Sequence, residues 1–306
     1  QKRSAVKIVN GGDWCSGAMI NNTNNNGTPY LLTANHCYTS SVGSWVFWFN
    51  YQSSTCSNPG SSPAYNSLSG STLKARRSNS DFCLLQLNST PPTAWDVFYS
   101  GWNRGTAAPK QETGIHHPSG DIKKISRDNN AATNGGAGGW GSDHWRVYWD
   151  QGVTEGGSSG SPLYDQNKRI VGQLHGGASY CGASAANLWD EYGKFSESWN
   201  GTSASKRLRD WLDPANTGAT TNDGYSPTGN YMLTGGSNGN VGSEPNTYSF
   251  DVFANVQWQA TSYSPWISIS DANVAAGILN VQFDRNESVQ TRTGTVQLTA
   301  CSTSSP

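Results

Sequence analysis

The stretch EGGSSGSP, Glu155–Pro162, sets three serines among three glycines and closes on a proline. A flexible polar loop and a turn carrying a nucleophile are both written this way, and two other stretches decide between them. LLTANHC, Leu31–Cys37, ends an apolar run on His36; SDFCLLQL, Ser80–Leu87, opens one on Asp81. In chain order the three give His36, Asp81 and Ser159, and each residue type suits one task in acyl transfer. Ser159 Oγ attacks the acyl carbon, His36 takes its proton and returns it to the leaving amine, and Asp81 fixes the imidazole tautomer and stabilises its charged form. The glycines have a purpose in the same chemistry. A backbone that aims two N–H groups at one developing oxyanion leaves little room for side chains, which makes Gly157 and Ser159 the donors. Taken alone, Asp81 reads equally as a turn residue opening a strand. Ser158 and Ser161 read as structural.

Composition is consistent with an exported enzyme and narrows the partners. The chain has 306 residues, 20 basic and 21 acidic, so it carries no electrostatic footprint for nucleic acid or an anionic membrane. No apolar run is long enough to span a bilayer. Charged residues are sparse, while 13 Trp and 13 Tyr supply the apolar area for a core. Six cysteines fit disulfides and export, and QKRSAVKIVN, Gln1–Asn10, lacks a signal-peptide core, so a secreted protein would be represented here in a processed or trimmed form.

Residues 1–224 alternate short strand-like runs with turn clusters: AVKIV, SGAMI, PYLLTA, SWVFWF, DFCLLQL, WRVYW and RIVGQL. One stretch, Ser203–Leu212, predicts a helix, with Leu208, Trp211 and Leu212 on one face and Pro214 after the stop. This pattern predicts β-barrels closed off by a carboxy-terminal helix. After the turn-rich NDGYSPTGN, Asn222–Asn230, residues 225–306 alternate apolar and polar positions as a small β-sandwich does.

The three boxes in this order, with SGWNR around Trp102, resemble the chymotrypsin-fold serine peptidases over about Val6–Gly224. The resemblance implies an all-β double barrel, and at the family's spacing it implies a disulfide between Cys15 and Cys37. VTEGGSSGSP, IVGQLHGG, YGKF, RLRDWLDPANTGA and GIHHPSGDIKKIS resemble the bacterial lysyl endopeptidases more narrowly. Trypsin-like enzymes carry an acid six residues before the nucleophile, where this chain has Val153. By the lysyl endopeptidase pattern the pocket acid is Asp190, in NLWDEYGKF, against an ordinary reading as a surface aspartate beside Glu191. An apolar substrate side chain would leave such a carboxylate buried and unpaired. The same resemblance places His175 beside the pocket, stacked on a tryptophan, for which Trp140 is the candidate. Trypsins also carry an aspartate just before the nucleophile that pairs with a new amino terminus. Ser158 stands there, so no buried α-amino group is expected to build the oxyanion hole.

The neighbouring His116 and His117 invite a metal reading, but adjacent strand residues face opposite ways, so a structural role is expected and no metal or organic cofactor is called for. Cys83 reads as a buried core thiol. In lysyl endopeptidases, cysteines like Cys56 and Cys181 pair with an amino-terminal segment that this chain does not contain; their pairing, and that of Cys301, stays open. VQWQATSYSPWISIS and NESVQTRTGTVQLTA, within about Thr228–Ala300, resemble a BACON module, an Ig-like sandwich for which carbohydrate binding has been proposed. Trp258 and Trp266 suit its core, so a spacer is the plainer reading than carbohydrate or cell-surface contact. The expectation is a secreted, extracellular, bacterial, monomeric serine endopeptidase acting on proteins or peptides after lysine. The alternatives are a peptidase accepting both Arg and Lys, and a non-catalytic binding protein that uses its carboxy-terminal module.

Overall fold

The computed structural model describes residues 1–55, 57–136, 138–227, 232–235, 242–254, 258–273, 277–288 and 290–300. Cys56 and Cys301 lie outside the described residues. The chain divides into two compact units, Gln1–Pro227 and Thr228–Pro306. The first unit extends past Gly224 because Tyr225 forms a bridge with Tyr99.

The first sheet is built from β1 (Ala5–Asn10), β2 (Asp13–Met19), β3 (Tyr30–Ala34), β4 (Val46–Phe49), β5 (Asn66–Ser69), β6 (Ser71–Arg77) and β7 (Phe82–Leu87). Their order across the sheet is β5-β4-β1-β2-β3-β7-β6. Its two edge strands, β5 and β6, are joined by Gly70 alone, with φ +83, so the sheet has to curl until its edges meet. That is the geometric content of a barrel.

The second sheet uses β8 (Trp102–Asn103), β9 (Glu112–His116), β10 (Lys124–Asp128), β11 (Thr133–Asn134), β12 (His144–Tyr148), β13 (Pro162–Tyr164), β14 (Ile170–Gly177), β15 (Trp189–Lys194) and β16 (Thr221–Asn222). Its path is β10-β9-β13-β14-β15-β12-β11, and its edge strands are again consecutive in the chain, so it curls in the same way. The unit is a chymotrypsin-like pair of curled sheets.

The continuous apolar runs of β3 and β7 follow from their place between two cores. Leu31, Cys83 and Leu85 point into the first barrel with Met19, Phe47 and Phe49. Their neighbours Leu32, Phe82 and Leu84 point the other way, into a cluster between the sheets with Trp102, Phe195 and Trp199. With both faces buried, period-2 alternation gives near-continuous apolar runs, interrupted by the buried Thr33, whose hydroxyl bonds the Ser16 carbonyl, and by Gln86. Cys83 is a buried free thiol whose pKa burial pushes up to about 12.

The expected helix over Ser203–Leu212 is broken. A 3₁₀ turn spans Ala204–Lys206, Arg207 is extended at φ −154 and ψ 156, and α-helix runs only over Arg209–Leu212. The Arg207 guanidinium bonds the Gly201 carbonyl and both Asp210 oxygens, which holds the kink. Leu208 and Leu212 still reach the inter-sheet cluster, as their spacing requires. A second short helix, Phe195–Trp199, follows β15 directly and adds Phe195 and Trp199 to the same cluster.

The second unit pairs β17 (Met232–Gly235), β18 (Asn246–Ala254), β21 (Ile278–Phe283) and β20 (Ile267–Asn273) in one sheet, and β19 (Trp258–Ser262) with β22 (Val296–Ala300) in another. Its core includes Val252, Trp258, Ile267, Leu279 and Val281.

Candidate active site

Strand register brings His36 and Asp81 together. Ala34 on β3 pairs with Phe82 on β7, so the residues just beyond Ala34 meet the residue just before Phe82. The Asn35 N–H donates to the Asp81 carbonyl at 2.7 Å. Asp81 then grips His36 twice: Oδ1 accepts the His36 backbone N–H at 2.9 Å, and Oδ2 lies 2.7 Å from ring Nδ1. Asp81 is held for this in the left-handed region at φ +51, a conformation that costs a non-glycine residue energy. The second sheet and the short helix after it support the bend: Gln173 Nε2 on β14 donates to the Ser80 carbonyl at 2.6 Å, and Ser198 Oγ in the Phe195–Trp199 helix donates to Ser80 Oγ at 2.9 Å. With Asp81 on Nδ1, the lone pair of a neutral His36 sits on Nε2, the nitrogen a general base needs.

Ser159 sits on the loop between β12 and β13, pressed against the first barrel. Its carbonyl accepts the Ser16 N–H at 2.8 Å and lies 3.8 Å from Cys37 Sγ, beside His36. A disulfide joins Cys15 and Cys37, with Cα atoms 6.4 Å apart. The fit here demands glycine. A Cβ on Gly160, at φ +80, would lie 2.1 Å from Thr33 Oγ1 and 2.5 Å from the Ser16 carbonyl. Among the described residues no hydrogen bond joins Ser159 Oγ to His36. Such bonds are often long without substrate and close in the complex.

The loop also orients two N–H groups. The Gly156 carbonyl accepts the Ser119 N–H at 2.6 Å, and the Ser158 carbonyl accepts the Ser161 N–H at 3.0 Å. A trans peptide points its C=O and N–H in opposite directions, so the N–H groups of Gly157 and Ser159 are turned the other way. Neither donates to an acceptor among the described residues.

Asp190, on β15 opposite Gly177 of β14, is completely buried. Its Oδ2 accepts from Trp149 Nε1 at 2.5 Å, Ser179 Oγ at 2.7 Å and Thr154 Oγ1 at 2.9 Å. Oδ1 has no partner among the described residues. It lies over Gly177, where an added Cβ would come within 2.2 Å of it. Burial raises the Asp190 pKa despite the side-chain donors of Trp149, Ser179 and Thr154 and the Ser179 backbone N–H, each of which works to lower it. Its neighbour Glu191, equally buried, does different work: it is paired with Arg146, and its Oε1 accepts the N–H of Gly136 and Gly138 at 2.8 and 3.3 Å.

That clamp pins the glycine-rich segment leading to Trp140. The Trp140 ring stacks on His175 at 4.0 Å between centroids and 18° between planes, and His175 stacks in turn on His36 at 5.4 Å. Sequence reasoning missed His144, whose Nε2 lies 3.0 Å from His175 Nδ1. Burial lowers the His175 pKa to about 4, so it stays neutral near pH 7. His36, Asp81 and His175 bring ligand-type atoms within 4.8 Å of one another. Within this group only His36 and Asp81 are hydrogen-bonded; His175 stacks on His36, lies 3.8 Å from Asp81 Oδ2 and directs its Nδ1 to His144. His116 and His117 do not converge: His116 bonds Ser158 and Ser126, while His117 Nδ1 bonds the Asp121 carbonyl. Trp149, Thr154 and Ser179 carried no sequence signal, because they meet Asp190 only through tertiary contact across 41, 36 and 11 residues.

Comparison with known proteins places the chain in a family. Residues 1–193 match the family described as lysyl endopeptidase, C-terminal domain. A lysyl endopeptidase of Pseudomonas aeruginosa is 34% identical over 201 residues, covering 61% of this chain; the chain spans 42% of that relative's length. Among solved structures, a Glu endopeptidase in complex with MPD is similar with a TM-score of 0.43 and 18% identity, over 63% of this chain and 85% of its own. A protease of M. tuberculosis in its active form is similar with a TM-score of 0.42 and 16% identity, over 63% of this chain and 76% of its own. The chain belongs to the lysyl endopeptidase C-terminal domain family.

Proposed function

We propose that this chain is a secreted serine endopeptidase that cleaves proteins and peptides on the carboxyl side of lysine. The observation that carries the reading is Asp190, a fully buried carboxylate with three neutral donors on one oxygen and no partner among the described residues on the other. A lysine ammonium brings both the charge and the proton donors that this oxygen lacks, and an apolar side chain brings neither.

With the ammonium held there, the scissile carbonyl lies at Ser159. His36, oriented by Asp81, takes the hydroxyl proton as Ser159 Oγ attacks, and the Gly157 and Ser159 N–H groups stabilise the oxyanion. His36 then protonates the leaving amine, and a water activated by the same imidazole hydrolyses the acyl-enzyme. Trp140 and His175 form one apolar wall beside the base. The Cys15–Cys37 disulfide favours an oxidising, extracellular setting. The carboxy-terminal unit is taken as a BACON-like spacer, since Trp258 is buried in its core and unavailable for stacking on a sugar.

The test is a series of peptide amides ending in Lys, Arg, Phe or Glu, with a lysyl phosphonate probe on wild type and Ser159→Ala. Lysine turnover well above all others, with labelling lost in Ser159→Ala, is the expected result. Equal arginine turnover would show a pocket that accepts both cations. A wild-type protein that takes no label would mean a binding protein on a peptidase scaffold.

A further inference from the structure

The oxyanion loop needs a support that the sequence does not supply in the form of an acid, because Ser158 stands beside the nucleophile. A run of buried side chains supplies it. The Glu155 N–H donates to Ser158 Oγ at 3.2 Å, Ser158 Oγ lies 2.8 Å from His116 Nδ1, and His116 Nε2 lies 3.0 Å from Ser126 Oγ. Ser126 Oγ donates its proton to the Val153 carbonyl at 2.9 Å.

Proton positions follow from that last bond. With its one proton on Val153, Ser126 can only accept from His116, so Nε2 carries the imidazole hydrogen and Nδ1 accepts from Ser158. Each proton is used once, and the chain runs in one direction from Glu155 N–H to Val153 C=O without a charge. Ser158, His116 and Ser126 are all completely buried, and burial holds the His116 pKa near 4, which keeps the imidazole neutral.

We infer that His116 is a positioning residue: the Ser158–His116–Ser126 relay ties Val153 to Ser158 and so holds the loop in the shape that aims the Gly157 and Ser159 N–H groups. The relay reaches both ends of the turn that carries the donors and touches neither the substrate nor the base. It rests on the peptidase reading above, and it takes the place of the charged support that an acid beside the nucleophile would give.

Its loss therefore weakens transition-state stabilisation and leaves ammonium binding at Asp190 intact. Removing a whole oxyanion donor costs about 100- to 1000-fold in rate, and a loosened pair loses part of that. The test measures kcat, KM, inhibition by n-butylammonium, affinity for a peptidyl lysine boronate and Tm in wild type, Ser158→Ala, His116→Asn and His116→Leu. In Ser158→Ala, kcat is expected to fall roughly 10- to 100-fold and boronate affinity by a similar factor, while KM and butylammonium inhibition stay within about threefold.

His116→Asn keeps an acceptor for Ser158 and is expected to retain more kcat than His116→Leu. If the histidine variants do not fold, Ser158→Ala, which removes a single oxygen, decides alone. Folded Ser158→Ala with wild-type kcat overturns the inference. So does a parallel loss of kcat and butylammonium binding, which would mean general disorder of the pocket. A wild-type protein that does not cleave after lysine overturns the peptidase reading first, and the relay's role with it.

Discussion

Asp190→Asn is the sharpest perturbation, because it separates binding from folding. On the proposed reading, a substrate ammonium in the wild type meets a buried carboxylate that already takes hydrogen bonds from Trp149, Thr154 and Ser179. The Asn side chain keeps an acceptor for those donors and places its amide where Oδ1 stood, so the ammonium enters a buried site with no counter-charge. Breaking a buried ion pair costs about 3–5 kcal/mol, or roughly 100- to 5000-fold in kcat/KM for lysyl amides. Stability moves the other way. Burial raises the Asp190 pKa above its ordinary 3.8, so the ionised group costs the fold energy at neutral pH. Near and below pH 3.8 both side chains are neutral and the two proteins are equally stable; the Asn variant gains as pH rises through the raised pKa and keeps the gain above it. Initial rates at pH 8 and melting curves from pH 3.5 to 8 read both effects. A folded Asn variant with kcat/KM within threefold of wild type refutes the pocket assignment, and a variant melting below wild type at pH 7 refutes the burial argument.

Three further outcomes follow from the geometry. Replacing Cys15 and Cys37 by alanine opens a loop closed over a separation of 22 residues and should cost about 3 kcal/mol, seen as a lower denaturant midpoint; an unchanged midpoint would show that the bridge does not constrain the unfolded chain. Trp140→Ala removes the ring stacked on His175 and should lower kcat/KM roughly 2- to 10-fold, with Trp140→Phe intermediate; equal rates in all three would disconnect that wall from the reaction. His116, held near 4 against an ordinary 6.5, refuses a proton that the unfolded chain accepts, so stability is full above about pH 6.5 and is lost as pH falls toward 4, by roughly 3 kcal/mol from this group; equal denaturant midpoints at pH 7 and 4.5 would contradict neutral burial.

What could be read from the sequence was what depends on local pattern or on strand register. The runs around Leu31 and Leu84 read as strands because both faces of β3 and β7 are buried. His36 and Asp81 read as partners because they end and begin such strands. The helix over Ser203–Leu212 failed because the apolar spacing reports which residues face the core and not whether the backbone stays helical between them; Leu208 and Leu212 do face it, across a kink at Arg207. Trp140 came from resemblance alone. Its position is set by Glu191, which is 55 and 53 residues from Gly136 and Gly138 and 45 residues from its partner Arg146, and nothing near Trp140 encodes that. His144 was equally silent, since one histidine on a strand looks the same whether it packs or bonds.

The two buried polar clusters flanking Ser159 differ in one respect that sequence cannot express. Around His116 every donor has an acceptor, and the protons run in a single order from Glu155 to Val153. Around Asp190 three donors crowd one oxygen while the other, equally buried, has no partner among the described residues. An unpaired buried carboxylate oxygen is costly, whereas a completed neutral network costs little and rigidifies what it touches. A fold under no demand to bind a cation gains by replacing Asp190 with a neutral residue and gains nothing by replacing His116. Completeness thus separates the group inferred to hold the loop still from the group proposed to select the substrate, and it assigns opposite signs to the stability changes expected on removing each.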